Sequence, residues 1–198
     1  QGEPTDVTIV GHVYEPRLLR PTDARISRLA IPSGFRIERY AEGLDNPRML
    51  EVAPDGTVYV TQREPGSLAM LRDIDGDGVV DVQRTVLSDI PWLHGLEIDN
   101  ATIYLADVHN IYSGLLHPDG KVVNLRRIEY RLPDAGQHPN RTLAIGPDQG
   151  LYVTVGSTCN ACEEPDSRNA TMLRLEANGT GASEIYARGL RNTVGFGW

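Results

Sequence analysis

Apolar and polar positions alternate along this chain with a period of two, and the alternating stretches recur. APDGTVYVT at 53–61, IDNATIYLA at 98–106 and GPDQGLYVT at 146–154 each place a polar or Gly-containing turn before β-formers centred on Tyr59, Tyr104 and Tyr152. A period of two is that of a strand, whose successive side chains point to opposite faces. The tyrosines stand 45 and 48 residues apart, an interval that matches one four-stranded propeller blade. Each copy is followed by a further strand-like run, SLAMLRD at 67–73, YSGLLHPDG at 112–120 and ATMLRLEANG at 170–179. GLDNPRML at 43–50 and GLRNTVGF at 189–196 echo one another where new blades would begin. The predicted fold is therefore all-β, a β-propeller with blades over about 31–88, 89–135 and 136–186 and a fourth beginning at 187–198. An arm over 1–30, carrying Pro4, Pro16 and Pro21, is expected to be extended. FRIERYAEGL at 35–44 reads as a strand leading into the first blade, because Phe35, Ile37 and Arg39 alternate with Arg36 and Glu38. A propeller closes with at least four blades, and 198 residues supply roughly three and a half at about 45 residues each. The remaining blades, or a second chain, are expected to complete the ring.

Composition narrows the partners. Lys plus Arg is 19 against 27 for Asp plus Glu, a formal charge of −8, which argues against a phosphate-backbone footprint and so against nucleic acid. No run approaches the eighteen apolar residues of a membrane helix. With Gly 20 and Pro 13, the punctuation suits short strands and turns. The chain opens at Gln1 without a charged segment followed by an apolar one, so an export signal is expected to have been removed or never present. Asn100, Asn140, Asn169 and Asn178 each begin an Asn-x-Thr triplet, readable as glycosylation acceptors or as turn residues. Cys159 and Cys162 form a lone CxxC followed by Glu163, which excludes CxxCH haem attachment. Structural zinc wants four ligands, and a thioredoxin-like pair wants a βαβ unit. What remains is a short-range disulfide stiffening a loop in an oxidising compartment, or two free thiols.

Candidate chemistry gathers in the segments that lead into each innermost strand, because equivalent positions of a radial repeat converge in space. These are LDNPR at 44–48, WLHG at 92–95, QHPNR at 137–141 and LRNTV at 190–194. His94, His138 and Arg191 occupy corresponding places and are predicted to face one pocket. His138 precedes Pro139 and should be extended; its imidazole suits a general base near neutral pH, or a hydrogen-bonded surface residue. His94, beside Trp92 and Leu93, reads as a ligand contact or as part of a half-buried turn. Arg191 and Asn192 suit an anionic ligand, or the tying of neighbouring blades through loop carbonyls. DIDGDGVVD at 73–81 places Asp73, Asp75, Asp77 and Asp81 at the spacing of a calcium loop, with Gly78 permitting the tight turn. Position twelve is Arg84, so an ion held here would be structural; the rival reading is a solvated acidic hairpin.

HPNRTLAIGPDQGLYVTVGS (138–157), CNACEE (159–164) and ARGLRNTVGFGW (187–198) together resemble the soluble, pyrroloquinoline-quinone (PQQ)-dependent sugar dehydrogenases, in particular the sorbosone dehydrogenase branch. GFRIERYAEGLDNPRML and DGDGVVD fit the same branch, so the likeness covers almost everything after residue 30. It implies a six-bladed propeller with PQQ over the channel mouth and calcium beside it. It also implies His138 as the base that removes the substrate hydroxyl proton, Arg191 and Asn192 as cofactor contacts, and His94 as a further polar contact. An acidic residue often precedes the family's base; Gln137 stands there here, which leaves the orientation of that base open. The catalytic calcium's protein ligands would come from later blades. The implied function is oxidation of an aldose or sugar aldehyde, with electrons passed to a soluble acceptor such as a cytochrome or quinone, in the periplasm or outside the cell. Two other readings compete: a non-catalytic propeller that binds protein or glycan, and a lactonase-type hydrolase, against which stands the scarcity of carboxylates in the lead-in segments.

Overall fold

The repeat resolves into three antiparallel sheets of four strands each. In this computed structural model, which describes residues 19–20, 22–133 and 136–198, the first blade comprises β1 (Pro47–Val52), β2 (Val58–Gln62), β3 (Ser67–Arg72) and β4 (Val82–Leu87). The second comprises β5 (Gly95–Asp99), β6 (Thr102–Ala106), β7 (Asn110–Leu116) and β8 (Val122–Tyr130). The third comprises β9 (Leu143–Ile145), β10 (Gly150–Val155), β11 (Thr171–Glu176) and β12 (Glu184–Arg188). Every strand pairs with its sequence neighbour, so each sheet is a simple meander. Innermost β5 touches innermost β1 on one side and β9 on the other. The architecture is an arc of a β-propeller.

Alternation explains how the blades stack. On β6, Ile103 and Leu105 pack with Tyr59, Leu68 and Met70 of the first blade. Tyr104 and Ala106, on the opposite face, pack with Leu151, Val153 and Val155 of the third. Strand β6 is sandwiched between two blades and is apolar on both faces; β2 and β10 each bury one face against the second blade and the other under Tyr40, Ala41 and Leu44 or under Tyr186 and Trp198, which is why all three motif strands are so thoroughly buried. Leu68, Leu96, Ile103, Leu105, Leu151 and Val153 are 0% exposed, and burying each such side chain contributes about 1.5–3 kcal/mol. The first of the repeated tyrosines faces the following blade: the Tyr59 hydroxyl donates to the Gly120 carbonyl of the second blade at 3.1 Å. Leu96 and Ile98 on β5 pack toward the preceding blade, and Leu143 and Ile145 on β9 pack likewise. Their counterparts on β1, Leu50 and Val52, are 62% and 56% exposed.

Two expectations are corrected. Residues 35–44 belong to no strand. A strand needs a ladder, and this segment is tied to blade one by Val80 N–H donating to the Tyr40 carbonyl (2.9 Å) and Gln83 Nε2 donating to the Glu42 carbonyl (3.1 Å). Tyr40, Ala41 and Leu44 pack over Val60, Ala69 and Leu71, while Phe35 is 73% exposed. The arm is not extended throughout either: α1 (Asp23–Ile26) makes one helical turn. Of the arm, residues 19–20 and 22–30 are described; Pro4, Pro16 and Pro21 lie outside the described residues. No helix among the described residues is long and apolar enough to cross a membrane.

Candidate functional site

The lead-in segments and the β2–β3 and β10–β11 turns meet at one end of the sheets. Gln62 Oε1 accepts the Asp45 N–H at 2.6 Å, Arg63 N–H donates to the Asn46 carbonyl (3.3 Å), Ile90 N–H to that of Gly66 (3.0 Å) and Ser157 N–H to that of Arg191 (2.8 Å). This end carries most of the chemistry predicted from the sequence.

His94 sits where three segments join. It is 6% exposed; its N–H donates to the Ala106 carbonyl at 2.9 Å and its carbonyl accepts the Thr61 hydroxyl at 2.8 Å. Ring Nδ1 lies 2.8 Å from the Arg141 carbonyl, which requires Nδ1 to carry the proton and leaves Nε2 as an acceptor. Burial pushes its pKa down, opposed by the Arg141 hydrogen bond, and the guanidinium charges of Arg48, Arg63 and Arg141 push further in the same direction as burial. His94 is therefore neutral at neutral pH, and the same three cations mark this spot as electropositive.

His138 is half-buried. Its Nδ1 donates to the Ser157 carbonyl at 2.8 Å, so in the neutral ring Nε2 is the nitrogen that carries the lone pair. The two segments that make this contact lie flush because glycines face them: a Cβ on Gly156 would stand 2.3 Å from the His138 oxygen, and one on Gly136 would stand 2.5 Å from the Thr158 oxygen. Exposed Arg191 donates from Nη1 to Asn160 Oδ1 at 2.9 Å, and Asn192 is exposed beside it. His94, His138 and Arg191 are thus linked through backbone, by way of Arg141 in one direction and Ser157 in the other.

Sequence reasoning passes over Arg63, Trp92 and Asn140 as ligand contacts. Arg63 Nη1 lies 3.4 Å from Asn140 Oδ1 across the arc, and its guanidinium stacks 5.0 Å from the Trp92 ring centre. Trp92 holds a left-handed backbone (φ 62°) and is 52% exposed. Arg63 Nε is buried without a hydrogen-bond partner among the described residues. Only the proximity of Trp92 to His94 in sequence could have flagged this group. Planar stacking surface, guanidinium donors and side-chain amides together suit a flat, polyanionic ligand.

The acidic loop is a tight hairpin. Carboxylate oxygens of Asp73, Asp75 and Asp81 lie within 4.8 Å of one another; Asp77 does not join this group and instead accepts the Val79 N–H at 2.8 Å. Asp73 accepts Gly76 N–H (2.8 Å) and Gly78 N–H (2.9 Å), and Asp81 accepts Ile74 N–H (2.7 Å). The bonds to Asp73 hold its carboxyl below its ordinary pKa, that from Gly78 most strongly. Carboxylate oxygens retain further lone pairs, so the donor set fits a hard cation. Cys159 and Cys162 are joined as a disulfide. Among the Asn-x-Thr triplets, Asn169 is 3% exposed, Asn100 has a φ of 53° in its turn, and Asn178 Oδ1 accepts the Thr180 N–H at 2.8 Å.

Stacked four-stranded antiparallel blades with histidines and arginines on their connecting loops define an arc of a β-propeller. The TrAA12-like family model matches residues 29–198, and the chain belongs to that family. The PQQ domain of pyranose dehydrogenase from Coprinopsis cinerea, in its holo form, superposes with a TM-score of 0.71 at 21% identity, covering 82% of this chain and 43% of that one. A carbohydrate-active-enzyme family AA12 protein from Trichoderma reesei gives 0.64 at 23% identity, covering 74% and 40%; another structure of that protein is a calcium structure. PQQ-bound aldose sugar dehydrogenase from Streptomyces coelicolor gives 0.56 at 18% identity, covering 79% and 54%. This chain therefore spans about half the length of these solved relatives. No curated protein matches it.

Proposed function

We propose that this chain is part of a PQQ-dependent sugar oxidoreductase that oxidises an aldose or sugar aldehyde of the glucose or sorbosone type. The observation that carries the proposal is the Arg63 guanidinium stacked 5.0 Å from the exposed Trp92 ring and 3.4 Å from Asn140 Oδ1, next to His94, on which the charges of Arg48, Arg63 and Arg141 act. A planar quinone bearing three carboxylates needs this combination of donors. Arg191, Asn192, Arg63 and Asn140 would hold it, Trp92 would offer a stacking face, and the buried Arg63 Nε would gain a partner. His94 would contribute an acceptor at Nε2. When bound, PQQ supplies the hydride acceptor.

His138 provides the matching proton chemistry. With Nδ1–H committed to Ser157, Nε2 is free to take the proton from a substrate hydroxyl as the carbon–hydrogen bond weakens, a contribution of about 10²–10⁴ in rate. Calcium would be held structurally by Asp73, Asp75 and Asp81, on the loop that precedes β4. The Cys159–Cys162 bridge supports an oxidising location, periplasmic or extracellular, and a soluble cytochrome or quinone would take the electrons onward.

Stoichiometric PQQ uptake by the full-length protein, followed by dye reduction on adding sugar, tests the function. His138→Ala should lower that turnover by about 10²–10⁴ while PQQ still binds. Normal turnover in the variant removes His138 from the role; no uptake by the full-length protein makes the non-catalytic binding platform the better reading.

A further inference from the structure

The imidazole of His138 is held through a carbonyl, and a carbonyl positions a side chain only as firmly as its own peptide is held. The peptide concerned joins Ser157 to Thr158, and hydrogen bonds on both sides hold it. Ser157 N–H donates to the Arg191 carbonyl (2.8 Å), and Thr158 O accepts the Gln137 N–H (3.1 Å). The remaining grip comes from one side chain in the β10–β11 loop. Glu164 Oε1 lies against the Ser157 hydroxyl, whose one proton it shares with the Cys159 carbonyl (2.6 Å), and on Oε2 it accepts both the Thr158 N–H (3.0 Å) and the Thr158 hydroxyl (2.8 Å). Three donors from two adjacent residues thus converge on one half-buried carboxylate.

The disulfide explains how a residue so close in sequence can fold back. Cys159–Cys162 closes the loop between the gripped peptide and Glu164, so that 157–158 and 164 face one another across a single tight turn. The same loop carries Asn160, whose Oδ1 accepts from Arg191 Nη1 at 2.9 Å. One covalently closed loop is thereby tied to both His138 and the arginine placed beside it. Burial raises the pKa of Glu164, but the hydrogen bonds from Ser157 and Thr158, with the charge of His138 added, outweigh it and leave the group below its ordinary value, so it is an ionised acceptor at neutral pH. Charge-assisted bonds of this kind are shorter and roughly twice as strong as neutral ones.

We propose that Glu164 is a positioning residue for His138: by gripping Ser157 and Thr158 from a disulfide-closed loop, it fixes the carbonyl that keeps the imidazole in its Nδ1–H form with Nε2 free. This rests on the reading of His138 as the base. Gln137, the residue before His138, uses its N–H on the Thr158 carbonyl, so the orienting carboxylate reaches the histidine from a different loop and through an intervening peptide.

The test uses the full-length holoenzyme and two readouts. In ¹⁵N-histidine spectra, His138 of the wild-type protein should show the Nδ1–H tautomer alone. Glu164→Gln, which replaces one acceptor oxygen by a donor, should produce a tautomer mixture and lower kcat by roughly 10- to 100-fold, as expected for a misplacement approaching 1 Å, with the KM for sugar changed less than about threefold. Glu164→Asp should recover part of both. If Glu164→Gln does not fold, Thr158→Val removes one of the three hydrogen bonds and is read in the same way with a smaller effect. An unchanged tautomer signature, with or without lost activity, overturns the proposal. Should His138→Ala prove fully active, the base assignment falls, while the tautomer readout still decides whether Glu164 positions the ring.

Discussion

Gly156→Ala would push a single methyl into the backbone of the residue assigned as base. The added Cβ would lie 2.3 Å from the His138 oxygen and 2.6 Å from its Cβ, where an unstrained contact needs about 3.5 Å, so the two segments must part by about 1 Å. Gly156 has little freedom to yield. Its carbonyl accepts the Ala170 N–H at 3.3 Å and Asn169 Nδ2 at 3.3 Å, and the residue follows directly on buried β10. The 137–141 segment must move instead, lengthening the 2.8 Å bond from His138 Nδ1 to Ser157. Overpacking of this kind costs about 1–3 kcal/mol, less about 0.4–1 kcal/mol regained because alanine restricts the unfolded chain. A net loss of about 1–2 kcal/mol is expected as a lower denaturant midpoint with unchanged slope. Turnover should fall by up to about 10²-fold through displacement of His138. Gly195→Ala is the control, since a Cβ there meets nothing within 4 Å. Wild-type midpoint and wild-type kcat in Gly156→Ala would refute the claim that Gly156 is kept small by the approach of His138.

Two further predictions concern the inner strands. Burial raises the pKa of Glu97, with Glu51 and Asp99 adding to it against the Ile145 hydrogen bond; because the folded value lies above the unfolded one, stability is greatest while the group is protonated and falls as pH rises through the folded pKa. Glu97→Gln keeps an acceptor for the Ile145 N–H, bonded at 3.0 Å, so its urea midpoint should fall less than the wild type's between the acid range and pH 7; parallel pH curves would contradict this. Thr61→Val, at a fully buried hydroxyl that donates to the His94 carbonyl (2.8 Å) and accepts the Met49 N–H (3.0 Å), strands both partners and should cost about 1–3 kcal/mol. An unchanged melting curve would show that solvent replaces those bonds.

The blades were legible because burial on two faces leaves a local trace. Tyr59, Tyr104 and Tyr152 sit in strands covered on both faces, Tyr104 by two blades and the other two by one blade and a flanking segment, so apolar runs, turn residues and spacing all report one architecture. The segment 35–44 alternates just as well and still is no strand, because alternation records which faces can be buried and not whether a ladder partner lies alongside. His138 and Arg191 were found by their place in the repeat. Arg63, Trp92 and Glu164 were not, since each owes its position to a contact with a different loop: Arg63 to Asn140, 77 positions away, Trp92 to Arg63, and Glu164 to a turn closed by the disulfide.

That division has a physical cause. A blade core is specified by its own period and by neighbours that repeat the same period, so one copy predicts the next. The loops at the blade ends carry no period, and their conformations are settled by which backbone groups remain unpaired once the sheets have stacked. His94 illustrates the point: Nδ1, N–H and carbonyl all serve to join blades and strands, and only Nε2 is left for chemistry. His138 follows the same rule with Ser157. The structural bonds that tie the arc together are also the bonds that choose each imidazole's tautomer, so a substitution that loosens the seam between blades changes the proton inventory of the site before it unfolds the protein.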